Sequence, residues 1–294
     1  MGLKISVIIV THDRQKLCNL LLSHLKSQEV KPDEVIVIDD YSKVPFKVNT
    51  QYNGKITLLH SKRELGLGTC RNIGVIVAKG DILVFIDDDA LPQPNWLKEV
   101  LLCFEQHNVD IVGGLAVPLY LIKPPYWWDS NILGKYLAIN NRTIVGCNFA
   151  VRREVFKEVG LFNIKLGRYK KLKLSNEEID FLLRAFVKGI NMKYLPKAKV
   201  YHVVTPCRLT LIYLIRRAWY QGISTYILSL FQGKSPLHCV LIERKMDKYI
   251  GSRGMKLEIK KNFINVIFSL VLSQVLLFIS LIGCCYASLK YREQ

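Results

Sequence analysis

The 294-residue chain has eight cysteines but no CxxC pair and no Cys/His spacing that would build a zinc site. The cysteines read as reduced, mostly buried small hydrophobes, since a chain of this length can bury a core without covalent staples. Also missing is a leader. Lys4 runs straight into Ile5-Ser6-Val7-Ile8-Ile9-Val10, with no basic segment, long apolar stretch or small-residue cleavage site before it, so the N-terminal half is expected in the cytoplasm. That first apolar run is followed by Thr11-His12-Asp13-Arg14 rather than by GxGxxG, which disfavours a nicotinamide-dependent dehydrogenase. Repeats and low-complexity segments are absent. Acidic side chains are scarce, 24 against 42 basic ones, and the net charge of +18 points to an anionic partner. Nucleic acid is not expected as that partner, because no basic helix or aromatic RNA-binding pattern occurs. The positive charge is instead densest beside an apolar C-terminal stretch.

That stretch, Phe263 to Ser288, holds 26 residues without a charge. At about 1.5 Å per residue such a helix exceeds the roughly 30 Å hydrocarbon core of a bilayer, which predicts one transmembrane helix over 262–289. A buried core helix is the alternative. Lys245, Lys248, Arg253, Lys256, Lys260 and Lys261 precede it and Lys290 and Arg292 follow, so the positive-inside bias places residues 1–262 on the cytoplasmic side of the cell membrane. Residues 206–261 form a basic helical region. Arg208, Arg216, Arg217, Trp219 and several tyrosines within 207–232 fit either helices in a membrane interface or a helical cap on the domain.

Across residues 1–115 short Val/Ile-rich runs (4–10, 34–39, 55–60, 81–86, 109–113) alternate with amphipathic stretches near 14–28, 69–78 and 94–107. This is the pattern of an α/β fold with a mainly parallel sheet flanked by helices. Residues 115–145, with Pro118, Pro124, Pro125 and Tyr126-Trp127-Trp128, read as an irregular substrate-facing loop, with ordinary packing of the tryptophans as the alternative. Beyond it come a strand at 145–151, helices at 153–159 and 177–189, and separate strands near 192–195 and 199–202.

In such sheets ligands bind past the carboxyl ends of the strands, where Thr11-His12-Asp13-Arg14, Asp39-Asp40 and Asp87-Asp88-Asp89 fall. Mg²⁺ and Mn²⁺ take oxygen ligands, and alternation along an extended chain brings Asp87 and Asp89 to one face with Asp88 turned away. Arg71 follows the Gly66-Leu67-Gly68 loop at a helix start, a position suited to a phosphate. Glu177 and Glu178 open a later helix, where they also complement its dipole. His202 ends the last strand.

The segments SVIIVTHDR, VIVIDDYS, GLGTCRNIG, VFIDDDALPQP, GCNFAVRREVFKEVGLFN and NEEIDFLLR occur in the order seen in family 2 of the GT-A glycosyltransferases, and residues 4–202 resemble that family. The resemblance implies a nucleotide diphosphate-sugar transferase fold over 1–205, with 1–115 binding the donor and 116–205 carrying the acceptor and base half. It implies a Mn²⁺ or Mg²⁺ cofactor on Asp87 and Asp89, with His202 approaching the metal. The donor-facing set is then Thr11, Asp13, Arg14, Asp39, Arg71, Asp87 and Asp88. Glu178 matches the family's general base, although it is Glu where the family has Asp, and Glu177 is the alternative. Transfer with inversion to a glycan or lipid-linked acceptor, beside membrane lipids, is the implied activity. A polyprenyl-phosphate acceptor and a non-catalytic, membrane-tethered nucleotide-sugar binder are the alternatives.

Overall fold

The computed structural model describes residues 2–49, 52, 54–137, 143–169, 172–249 and 263–291. Arg253, Lys256, Lys260 and Lys261, and with them most of the basic flank, lie outside the described residues. Strands β1 (Ile5–Thr11), β2 (Glu34–Asp39), β3 (Ile56–His60) and β4 (Ile82–Ile86) alternate with helices α1 (Gln15–Lys26) and α2 (Leu67–Val77). Then follow β5 (Ala90–Pro92), α3 (Trp96–Gln106), β6 (Ile111–Tyr120), α4 (Ser130–Leu133), β7 (Asn148–Arg152) and α5 (Val155–Val159). A small hairpin, β8 (Arg168–Tyr169) and β9 (Leu172–Lys173), leads to α6 (Glu177–Val187) and β10 (Met192–Val204). Helices α7 (Leu211–Gln232), α8 (Pro236–Tyr249) and α9 (Phe263–Lys290) complete the chain.

Eight strands form one sheet in the order β3-β2-β1-β4-β7-β6-β10-β5. The first four run parallel and β6 runs parallel to β10, whereas β7 and β5 are antiparallel to their neighbours. Helices cover both faces, so β2 and β4 are buried at every residue, as near-continuous apolar runs require. One face packs Leu21, Leu22, Leu25, Trp96 and Phe104; the other packs Phe85, Phe149, Phe156, Phe162 and Phe181. Strand order reverses between β1 and β4, which opens a crevice at their carboxyl ends.

Two sequence expectations change here. Residues 115–120 continue β6 instead of entering a loop, and Pro118 is tolerated because β7 pairs β6 only through Gly113, leaving that edge open beyond it. The strands expected at 192–195 and 199–202 are one strand, with a register shift between Leu195 and Lys199 around Pro196. The tryptophans pack: Trp128 is buried and donates its indole N–H to the Tyr120 hydroxyl at 2.7 Å.

Helix α9 is apolar and long enough to cross a membrane, and over Phe268–Lys290 its side chains are largely exposed, unlike those of a core helix. It does not stand free. Ser269 Oγ donates to the Trp127 carbonyl, Tyr126 lies 6.2 Å from Phe268, and Trp219 of α7 lies 5.3 Å from Tyr286. Leu214 and Ala218 cluster with Leu276, and Ile223 with Ala287, so α7 and α9 run parallel. Glycines allow this approach: a Cβ on Gly222 would enter the Ser280 backbone, and one on Gly283 would meet the Trp219 carbonyl at 2.5 Å.

Candidate active site

A cavity of about 370 Å³ opens at the β1/β4 crevice, lined by Thr11, Arg14, Arg71, Asp87, Asp88, Gly146, Glu177 and Glu178 among others. Its floor comes from the turn after β4. Alternation holds there: Asp87, Asp89 and His202 offer ligand atoms within 4.8 Å of one another, while Asp88 turns to β1. Asp88 accepts from Thr11 Oγ1 at 2.8 Å and from Arg14 Nη1 at 2.7 Å. Burial raises its carboxyl to about 6, with Arg14 opposing and Asp89 adding to the rise.

Asp89 is the most heavily counter-charged carboxylate of the site. Arg14 Nη1 and Arg208 Nη2 reach its Oδ2 at 2.7 and 2.8 Å, and His202 Nε2 lies 3.3 Å from Oδ1. Burial alone would raise its pKa, but His202, Arg208 and Arg14 outweigh burial and hold it well below the usual carboxylate range. Its buried Oδ1 has no hydrogen-bond partner, and neither has His202 Nδ1. An ionised oxygen with no hydrogen bond of its own, facing a second carboxylate and an imidazole, suits a hard divalent cation. The donor set therefore fits Mn²⁺ or Mg²⁺.

Arg71, on α2, is buried and fully engaged. It donates to Glu177 Oε1 (2.9 Å), Asp87 Oδ1 (3.2 Å) and the Gly146 carbonyl (2.9 Å), with the Phe149 and Phe162 rings 5.8 and 5.9 Å away. A Cβ at Gly146 would lie 3.1 Å from Arg71 and 3.2 Å from Glu178, so a side chain there would press on both. Glu177 is tied to Arg71 through Oε1, but both Glu177 and Glu178 line the cavity and each has a buried Oε2 without a hydrogen-bond partner. Asn176, in the left-handed region at φ 78°, starts α6 and is held by Gln221 of α7 at 2.8 Å.

Glu177 makes a pH prediction. Burial first, then the Glu178 charge, push its carboxyl up to about 8 from an ordinary 4.5; the close Arg71 opposes but does not outweigh them. The folded chain thus keeps a proton that the unfolded chain has lost, so this contribution to stability is full below about 4.5 and declines as pH rises towards about 8. Glu177→Gln should flatten the fall of Tm across that window in detergent melts. Parallel curves for the two proteins would refute it.

The remaining sites predicted from sequence lie less centrally. The Asp39 carboxylate is buried behind the cavity, accepting from the Ser42 and Phe46 amides at 3.1 and 2.7 Å and lying 3.0 Å from His60 Nδ1. The adjacent Asp40 lines the cavity in its place and accepts from the Leu65 and Gly66 amides. Asp13, at φ 54°, lines a neighbouring cavity with His12, Tyr41 and Arg63. Sequence reasoning missed Arg208, Arg217, Arg168 and Lys173. The first two lie in the stretch with alternative readings, and their inward placement matches the domain cap; no local pattern marked the other two.

The profile of the family described as glycosyl transferase family 2 matches residues 6–160. A glucosyl-dolichyl phosphate glucuronosyltransferase of Haloferax volcanii is 26% identical over 245 residues, covering 78% of each chain. An uncharacterized glycosyltransferase of Haemophilus influenzae is 27% identical over 61% of each chain, so the match spans under two thirds of that relative. Among solved structures, a mannosyltransferase from Pyrobaculum calidifontis in complex with GDP-Man and Mn²⁺ superposes with a TM-score of 0.62 at 17% identity, over 100% of this chain and 89% of that one. S. aureus TarS 1–349 in complex with UDP-GlcNAc gives 0.57 at 15% identity, over 99% and 92%. These likenesses give the GT-A fold, and the family match covers more than half of the chain. The chain belongs to glycosyl transferase family 2 and is a glycosyltransferase.

Proposed function

We propose that this glycosyltransferase moves a sugar from a nucleotide diphosphate-sugar to a hydroxyl of a membrane-linked glycan, with inversion. The observation that carries the reading is the acidic pair on the wall of the cavity that Asp87 also lines: Glu177 and Glu178 each have a buried Oε2 without a partner, and Glu177 is in addition held by Arg71, which leaves Glu178 for the base. Asp87, Asp89 and His202 would hold a divalent cation, which when bound supplies Lewis-acid stabilisation of the negative charge on the departing diphosphate. Thr11, Arg14, Asp40 and Asp88 on the cavity wall, with Asp13 beside it, are assigned to the nucleotide side, and Asp39 braces the turn behind them. Arg71 braces Asp87 and Glu177, so the diphosphate end and the base helix are set against one guanidinium. The acceptor oxygen bonds to the anomeric carbon from the face opposite the diphosphate. Its proton passes to Glu178 Oε2 while the bond to the phosphate oxygen breaks and its electron pair leaves with the nucleoside diphosphate.

A lipid-linked acceptor is supported by the exposed apolar surface of α9 and by a relative named as a glucosyl-dolichyl phosphate glucuronosyltransferase. A polyprenyl phosphate as the acceptor itself is the second reading, since its ionised oxygen needs no base. Release of nucleoside diphosphate from UDP-, GDP- and dTDP-sugars by detergent-solubilised enzyme, with Mn²⁺, Mg²⁺ or chelator, tests the activity. Metal-dependent release from one donor supports the reading; no release or binding of any donor reduces the chain to a tethered binder. The charge flanking α9 favours a single-pass arrangement with the catalytic body on the cytoplasmic side of the cell membrane, whereas its packing on Trp127 and along α7 from Ser269 to Ala287 favours a helix held against the catalytic body at the membrane surface. A protease-sensitive tag after Gln294 in sealed vesicles checks this, because a tag on the same side as the catalytic body would mean that α9 lies along the membrane surface.

A further inference from the structure

The cations around the cavity fall into two groups. Arg14 and Arg71 on the sheet side, and Arg208 behind them, are each matched by carboxylates at 2.7–3.2 Å. On the opposite wall Arg168, Lys173 and Arg217 line the same cavity, and their side chains make no hydrogen bond or ion pair with the described residues. Arg168 and Lys173 are register partners across β8 and β9, so two like charges sit side by side. Such pairs destabilise a hairpin unless something lies between them. Arg217 reaches the cavity from α7 and is partly buried there. Burial, and then the Arg168 charge, lower its pKa from the usual arginine value.

The chain pairs its other enclosed guanidiniums with carboxylates, because an unmatched buried charge is costly. None of the three is hydrogen-bonded or ion-paired in this way: Arg168 and Lys173 stand exposed on the hairpin, and Arg217, the one partly enclosed, feels the Glu178 and Glu177 charges across the cavity without an ion pair to either. An anion between β8–β9 and α7 would relieve the repulsion, and a phosphate matches the planar fork of the arginines with the point charge of the lysine. The place is specific. Arg217 lies on the helix that packs along α9, on the Glu178 side of the cavity, whereas the donor diphosphate in the proposed reading sits at the β1 and β4 ends by Asp87.

We propose that Arg168, Lys173 and Arg217 form a second phosphate subsite, which holds the phosphate joining the acceptor sugar to its lipid. This assignment rests on the glycosyltransfer reading for the role of the adjoining cavity. The subsite orients the acceptor, presenting its hydroxyl to Glu178 while the lipid leaves along the apolar side of α9.

The test uses the full chain in neutral detergent and compares binding of farnesyl phosphate, farnesol, inorganic phosphate, and UDP or GDP with Mn²⁺. Wild type should bind farnesyl phosphate about tenfold or more tighter than farnesol, as a charge-assisted contact provides. Arg217→Gln, and separately Arg168→Gln with Lys173→Gln on the exposed hairpin, should each bring that ratio towards one. Nucleoside diphosphate affinity should stay near wild type, and Arg217→Lys should keep part of the ratio. A ratio unchanged in both variants overturns the subsite, and so does nucleoside diphosphate binding that weakens in step, which would give the cluster to the donor. Inorganic phosphate competing as well as farnesyl phosphate overturns the lipid assignment in favour of free phosphate. A wild type that binds no nucleotide sinks the glycosyltransfer reading alone, because the phosphate-to-alcohol ratio is judged without it.

Discussion

Asp89→Asn is expected to lower donor turnover by about a thousandfold or more, because Lewis-acid stabilisation of a leaving diphosphate is worth several kcal/mol and each 1.4 kcal/mol is about tenfold. The substitution keeps the shape of the side chain, so an amide oxygen still accepts from Arg14 and Arg208 while the negative charge is lost. Asparagine is preferred to alanine, which would leave two guanidiniums and an imidazole facing an empty volume and add a folding cost of its own. The residual rate should no longer respond to Mn²⁺ or chelator, and a melt in detergent separates lost chemistry from lost fold. Metal-dependent turnover at the wild-type level in this variant would remove Asp89 from the metal site.

Glu178→Gln is the second large effect. Losing a positioned base typically costs about 10²–10⁴ in rate. The substitution preserves volume next to Gly146, so donor binding should hardly change while kcat falls. Glu177→Gln should cost far less, since Glu177 is committed to Arg71 and protonated by its surroundings over much of the neutral range. Were the two effects reversed, the base would be Glu177. Full activity in both variants would favour an acceptor whose oxygen is already ionised, as in the polyprenyl-phosphate reading.

The donor half of the fold was legible because its strands are buried on both faces and must therefore be written as unbroken apolar runs. Asp87 and Asp89 were legible because alternation in an extended turn dictates which carboxylates share a face, and the structure brings them together with His202. The rest depends on contacts that no local pattern records. Arg208 lies 119 positions from the carboxylate it bonds, and its neighbours suggested a membrane interface as readily as a domain cap. Asp39 and Asp40 are adjacent and alike in sequence, yet one braces a turn and the other lines the cavity, a choice set by strand pleat and by the amides of residues 42, 46, 65 and 66. The extension of β6 through Pro118 was hidden for a similar reason: proline is read as a breaker unless the missing neighbour on that edge is known.

The parallel pairing of α7 with α9 bears on how the enzyme can be handled. The face of α7 opposite the Gly222 contact carries Gln221 and Ser224, which hold Asn176 and the Ser175 amide at the start of the helix bearing Glu178. Deleting everything after residue 262 to obtain a soluble fragment would therefore strip the apolar cover from Leu214, Ala218 and Ile223, and loosen the brace on the base helix as well. For this enzyme the hydrophobic tail is part of the catalytic scaffold, and solubility is better sought by changing the outward residues of α9, such as Leu277, Phe278 and Leu281, than by cutting the helix away.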